Sequence, residues 1–100
     1  MDANAVSLAG EMAAAEPLRH TPAGLALLAF RLVHRSQQME AGFRRQVECE
    51  VSCIAMGDAA TRLAKLANGA AVQVTGFLNR KNRMSAQLVL HATSTEIVKE

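Results

Sequence analysis

Between Phe43 and Ile54 the sequence reads FRRQVECEVSCI, and its small apolar residues fall on every second position. Val47, Cys49, Val51 and Cys53 form one face of this segment; Arg44, Gln46, Glu48, Glu50 and Ser52 form the other. A period of two is a strand signal, since helical faces repeat every 3.6 residues. One apolar face and one charged face describe a strand that covers a core on one side and meets water on the other. The chain is thereby directed toward a β-fold.

The remaining segments extend this pattern. Over Ala5–Met12, Val6, Leu8 and Met12 share one side, Ser7 and Glu11 the other, and Gly10 stands in the core-side row. A first strand is expected there, with residues 1–4 frayed and Gly10 marking a bulge or a tight barrel bend. Pro17 rules out a helix grown from the alanines at 13–15. Leu18-Arg19-His20 is expected to continue the strand after a bend, and Thr21-Pro22-Ala23-Gly24 to form a turn, with Pro presetting φ and Gly tolerating positive φ. A second strand is expected over Leu25–Arg35, with Ala26, Leu28, Phe30 and Leu32 in the core, Arg31, Val33 and Arg35 outward, and both faces covered in its apolar first half. Ser36–Gly42 reads as a loop, and the third strand as Phe43–Ile54.

Asp58 reads as the N-cap of a short helix over Ala59–Ala67, whose apolar positions Ala59, Leu63, Leu66 and Ala67 recur at helical spacing, and Asn68-Gly69 as its stop. A fourth strand, Ala71–Leu78, turns Val72 and Val74 inward, and a fifth, Met84–Ala92, turns Leu88 and Leu90 inward. Between them lies the basic loop Asn79-Arg80-Lys81-Asn82-Arg83. Glu96–Val98 adds a last short pairing. Three strands, a helix and two strands are the element order of the all-β OB-fold, a five-stranded Greek-key barrel with a short helix between strands 3 and 4. Element order alone leaves other small β-barrels open.

The totals set the class of function. One hundred residues make a single domain, 1–100, with room for one modest core. Phe30, Phe43 and Phe77 are the only aromatic residues of the Phe, Tyr and Trp type. Phe30 and Phe77 are expected in the core, whereas Phe43 reads equally as an exposed stacking platform or a core residue at the barrel's end. The net charge of +2 is small, yet no acid occurs between Asp58 and Glu96, a stretch holding Arg62, Lys65, Arg80, Lys81 and Arg83. Such an excess suits polyanion binding, with a solvated face as the bland alternative.

Four residues of strand separate Cys49 from Cys53 by roughly 13 Å, too far for a disulfide, so buried reduced thiols are expected. Neither a metal site nor a cofactor is expected from two cysteines and three scattered histidines. No Ser/His/Asp, Cys/His or paired-carboxylate arrangement stands at usable spacing, which points to a binding module rather than an enzyme and makes His34 and His91 structural. Asp2, Glu11 and Glu16 break up the N-terminal segment, and no apolar run approaches the eighteen or so residues of a membrane helix, so a cytoplasmic protein without membrane contact is expected.

Several segments together resemble a known family. Thr21-Pro22-Ala23-Gly24, Leu32-Val33-His34-Arg35-Ser36, Ala41-Gly42-Phe43 followed by Arg45-Gln46, and Gly76-Phe77 followed by Leu88-Val89-Leu90-His91-Ala92 look like bacterial primosomal replication protein N, the PriB family. The resemblance covers nearly the whole chain in order. It implies a homodimeric OB-fold that binds single-stranded DNA and joins the primosome proteins, the restart helicase among them, at stalled forks. The DNA-site positions it implies here are His20, Arg35, Phe43, Arg45, Arg80, Lys81 and Arg83. Glu48 stands where the best-known members carry a stacking Trp, and Gln87 where a lysine is usual. A base–aromatic stack is worth roughly 1–3 kcal/mol, so DNA binding by this chain is expected to be more electrostatic or weaker. Two alternatives stay open: a primosomal protein-interaction adaptor with vestigial nucleic-acid binding, and an RNA-binding barrel of the cold-shock kind.

Overall fold

The computed structural model describes residues 2–98. Six strands and one helix follow in the order β1 (Val6–Ala13), β2 (Arg19–His20), β3 (Ala26–Glu40), β4 (Phe43–Met56), α1 (Asp58–Ala64), β5 (Ala71–Arg80) and β6 (Leu88–Ile97). The sheet runs β1-β5-β6-β4-β3-β2, and a further antiparallel pairing of β1 with β3 closes five of these strands into a barrel. β4 and β6 run parallel, Ile54 beside His91, while the other neighbours are antiparallel. This is the OB-fold topology, with the helix between the third and fourth barrel strands.

Alternation decides which residues fill the barrel. Met12, Ala26, Leu28, Phe30, Leu32, Cys53, Ala55, Val72, Val74, Leu90 and Ala92 are buried from the strands, and Ala60 and Leu63 of α1 close one end. Burial of each of the leucines stabilises by roughly 1.5–3 kcal/mol. Phe30 is the only aromatic ring in this core, and Leu27 and Ala29 on its strand are half-buried, as the apolar first half of the strand requires. Gly10 lies where β1 crosses to β3: a Cβ there would meet the Val33 carbonyl, so the glycine marks the tight closure rather than a bulge.

Several boundaries differ from the expected ones. Ser36–Glu40 is strand, not loop, because Ala41 and Gly42, with φ of 51° and 82°, make a two-residue turn and let β3 pair with β4 all the way to Glu40 opposite Phe43. The outer half of this hairpin stands clear of the barrel as an arm. Leu18–His20 does not prolong the first strand; Arg19 and His20 form the separate strand β2 on the edge of β3. The Thr21–Gly24 turn is closed by the Gly24 N–H donating to the Thr21 carbonyl at 2.8 Å. The helix ends at Ala64, and Asp58 is its first residue instead of its cap, a place held by Gly57 at φ 67°.

The fifth barrel strand begins at Leu88 and continues through Ile97, taking in the pairing expected at Glu96–Val98 and leaving Met84 95 % exposed. The expected fraying of residues 1–4 holds for no regular strand before Val6, but Asn4 is anchored. Its side-chain amide donates to the Leu78 carbonyl at 2.9 Å and accepts the Leu78 N–H at 3.0 Å; Met1 lies outside the described residues.

Inward-facing does not always mean buried. Leu88 shares the face of Leu90 but sits at the barrel mouth beside Ala3–Val6 and Leu78, and is exposed. Cys49 shares the face of Cys53 but lies on the arm opposite His34, also exposed, so the thiols are free but only Cys53 is buried. Burial pushes the Cys53 thiol from 9.0 up to about 12. The neutral thiol is therefore favoured by folding, and its contribution to stability, complete below pH 9.0, is lost as the pH rises toward 12. A thiol-specific reagent such as DTNB at pH 8 is expected to label Cys49 at once and Cys53 only in denaturant. Equal rates for the two in the folded protein would contradict this burial.

Candidate nucleic-acid interface

The outward faces of β3, β4, β6 and β5 form a shallow groove of about 570 Å³. Ala29 of β3, Ile54 of β4 and Val89 and His91 of β6 line its floor. The β1–β3 connection contributes Ala14, Glu16 and Arg19 on one side, and the start of the β5–β6 loop contributes Arg80, Lys81 and Gln87 on the other. The loop is pinned at its base, where the Lys81 N–H donates to the Gln87 carbonyl at 2.9 Å, and it runs Lys81–Gln87 rather than ending at Arg83. With Arg31 on β3, the lining holds four cations, Arg19, Arg31, Arg80 and Lys81, against the single carboxylate of Glu16. An apolar floor between cationic rims, framed by the first and last loops of the barrel, is the arrangement with which OB-folds take oligonucleotides.

The structure divides the expected site residues. Arg80 and Lys81 enter the groove; Arg83 lies further along the same loop, exposed and outside the lining. His20 is exposed on β2 beside Arg19, and of the two it is Arg19 that lines the groove. Arg35, Phe43 and Arg45 all lie on the arm. Phe43 is 73 % exposed beside the turn, which settles it as a surface residue and not a core one. Arg35 and Arg45 point to opposite faces of the arm, since Arg35 shares the face of Ala29 and Arg31 whereas Arg45 shares that of Cys53.

The acids of the β3–β4 hairpin have partners within it. Glu48 lies opposite Arg35 in register and pairs with it at 3.9 Å, Glu50 pairs with Arg31 at 3.6 Å, and Glu40 with Arg45 at 3.0 Å. All six side chains are about half exposed or more, so each pair contributes between a few tenths of a kcal/mol and about 1 kcal/mol of stability. They cost little to open, which leaves the guanidinium groups available to another anion. His34 is held in the hairpin, its Nδ1 at 2.6 Å from the Ala9 carbonyl and its Nε2 at 2.7 Å from the Ser36 hydroxyl.

Sequence reasoning passed over Arg19 and underrated Arg31, although its outward position on β3 was legible. It also placed Phe77 in the core. Phe77 is in fact 38 % exposed and stacks on His91. Among the described residues no group of three or more His, Cys, Asp or Glu could hold a metal ion, and no helix is long and apolar enough to cross a membrane.

Comparison with known proteins agrees with this geometry. A family model described as "Another single-strand binding protein family" matches residues 4–94. The replication restart protein PriB of Nitrosomonas europaea is 41 % identical over 95 residues, covering 95 % of this chain and 88 % of that protein. The PriB structure from Ralstonia solanacearum superposes with a TM-score of 0.87 at 32 % identity, over 96 % of this chain and 98 % of that one. A deletion mutant of the single-stranded DNA-binding protein of Thermus aquaticus shares the fold, with a TM-score of 0.74 at 23 % identity over 96 % of this chain and 50 % of that chain.

Proposed function

Since the chain belongs to the PriB family of replication restart proteins, we propose that it binds single-stranded DNA without strong sequence preference and serves as an accessory of the replication-restart primosome. The observation that carries this reading is the groove: cations on both rims and an apolar floor between them. Arg19, Arg31, Arg80 and Lys81 hold phosphates there, and Arg83 adds its charge along the loop. The groove presents few directional hydrogen-bonding groups on its floor, which is the basis for tolerance of sequence. Arg35 would extend the path along the groove side of the arm, with its ion pair to Glu48 exchanged for phosphate, whereas Phe43 and Arg45 would meet the strand only where it passes around to the arm's opposite face. In this reading the protein works in the cytoplasm as a homodimer beside the restart helicase; light scattering at micromolar concentration tests the dimer.

Fluorescence anisotropy on a labelled oligo-dT tests the binding. The unaltered protein is expected to prefer the single strand over a duplex competitor, and its affinity to fall steeply with salt, by about 0.7 in the log–log slope per phosphate contact. Replacing Arg80, Lys81 and Arg83 together by Ala is expected to lower the affinity at least tenfold and to flatten that slope by roughly 1 to 2. Equal preference for duplex, or unchanged binding by the triple variant, would sink the reading.

A second reading is favoured by the acids of the arm. With Glu48 and Glu40 already holding Arg35 and Arg45, the arm suits contact with a protein better than contact with a polyanion. A primosomal adaptor of this kind would bind the restart helicase tightly and show no measurable affinity for the oligonucleotide.

A further inference from the structure

The four groove strands bring one outward residue each into a single row: Ala29 opposite Ile54, Ile54 beside His91, and His91 opposite Phe77. At the end of that row the imidazole and the phenyl ring lie face to face, their centroids 4.9 Å apart and their planes inclined by only 9°. Nothing in barrel packing requires the pair, because both rings stand on the outer face, and the core beneath is filled by Val74, Leu90 and Ala92.

A register device holds the pair in place. Thr75 pairs with Ser94 but Gly76 with Ala92, so Thr93 is an extra residue in β6. Its hydroxyl donates to the Thr75 carbonyl at 3.1 Å. Ser94 and Thr93 are both exposed, after which the alternation resumes with Ala92 and Leu90 buried and His91 turned out. Bulges of this kind re-aim side chains. Gly76, directly before Phe77, lets the two strands approach closely at the same point.

We propose that Phe77 and His91 form the base-stacking platform of this groove, presenting their π-faces to unpaired nucleobases whose phosphates rest on Arg80, Lys81 and Arg31. The proposal rests on the reading of the groove as a single-strand interface and names the residues that read bases rather than backbone. His91 lines the groove, and Phe77 beyond it is still more than one-third open to solvent, so a flat ring has a surface to lie on. Base–aromatic stacking tolerates every base, which agrees with weak sequence preference. It also supplies what the strand β4 lacks, where Glu48 offers no ring.

The chain contains no Trp and no Tyr, so a Phe77→Trp variant carries a single fluorescent reporter on the platform. Its emission is expected to be quenched on titration with oligo-dT and left unchanged by an abasic oligonucleotide of equal length, added at low salt where the phosphates alone bind. A Phe77→Leu variant, confirmed as folded by circular dichroism, is expected to bind oligo-dT about tenfold more weakly, with an unchanged salt slope and unchanged affinity for the abasic strand. Wild-type affinity of Phe77→Leu for oligo-dT, or equal quenching of Phe77→Trp by the abasic strand, overturns the platform while leaving the groove as a phosphate site. Failure of the unaltered protein to bind either oligonucleotide overturns both readings.

Discussion

Replacing Gly76 by Ala is expected to destabilise the barrel by about 3 kcal/mol, at the upper end for overpacking, and to lower the midpoint of thermal unfolding by roughly 12–24 °C. A Cβ built on Gly76 lands on the carbonyl of His91, a backbone group of the neighbouring strand that no rotamer change can move aside. The strands would have to separate at the Thr75/Gly76 register shift, where β5 and β6 pass their bulge. With total stabilities of about 5–15 kcal/mol for domains of this size, the variant retains only a fraction of its margin. Gly24→Ala is the control: nothing lies within 4 Å of its added Cβ, and the cost is the torsional one of φ +86°, about 1 kcal/mol. Circular dichroism melts of the two variants check the order. A Gly76→Ala midpoint within a few degrees of the parent would show that the strands have slack at this crossing.

Leu90→Ala is expected to cost about 3–4 kcal/mol, whereas Leu88→Ala, two residues earlier on the same face of β6, is expected to stay within about 0.5 kcal/mol. Leu90 is fully buried between Cys53 of β4 and Leu78 of β5, so truncation leaves a cavity that surrounding strands cannot close. Leu88 is 54 % exposed at the barrel mouth, where water fills the space that its side chain gives up. Urea unfolding of the pair, with unchanged slopes, measures the difference. Similar costs for both would mean that the mouth is covered.

These two leucines also show what could be read from the sequence. Alternation identifies the face of a strand because side-chain direction is a local property of the backbone. It assigned Leu28, Leu32, Val72, Val74 and Leu90 correctly to the inside. How far the opposite wall extends is a non-local property, so alternation could not tell Leu90 from Leu88, or Cys53 from Cys49 on the arm. Phe77 does follow the local period, with Val72, Val74 and Leu78 on the inner face and Phe77 on the outer, so its expected place in the core ran against the alternation of its own strand. At the groove, Arg80 and Lys81 were legible as an acid-free basic loop. Arg19 was not, because only folding of the β1–β3 connection carries it to the far rim. The Ala41-Gly42 turn was hidden by the polarity of Ser36–Glu40, which reads as loop until a partner strand supplies the ladder.

The order of strands around the barrel has a consequence for how the chain comes together during synthesis. β1 is joined to β3 only by the short ladder Glu11–Val33, Met12–Leu32 and Ala13–Arg31, and its longer partner is β5. β5 and β6 fill the gap between β1 and β4, yet they are the last strands to be translated. At translation rates of about 5–20 residues per second, the sheet of β1, β3 and β4 therefore waits for a few seconds with the edges of β1 and β4 open, and such edges invite pairing with other chains. Alternating arginine and glutamate along the β3–β4 hairpin, at Arg31, Arg35, Arg44, Arg45, Glu48 and Glu50, makes it an unattractive template. Charges that look costly on a surface proposed for a polyanion thus also guard the nascent chain until its final strand closes the wall.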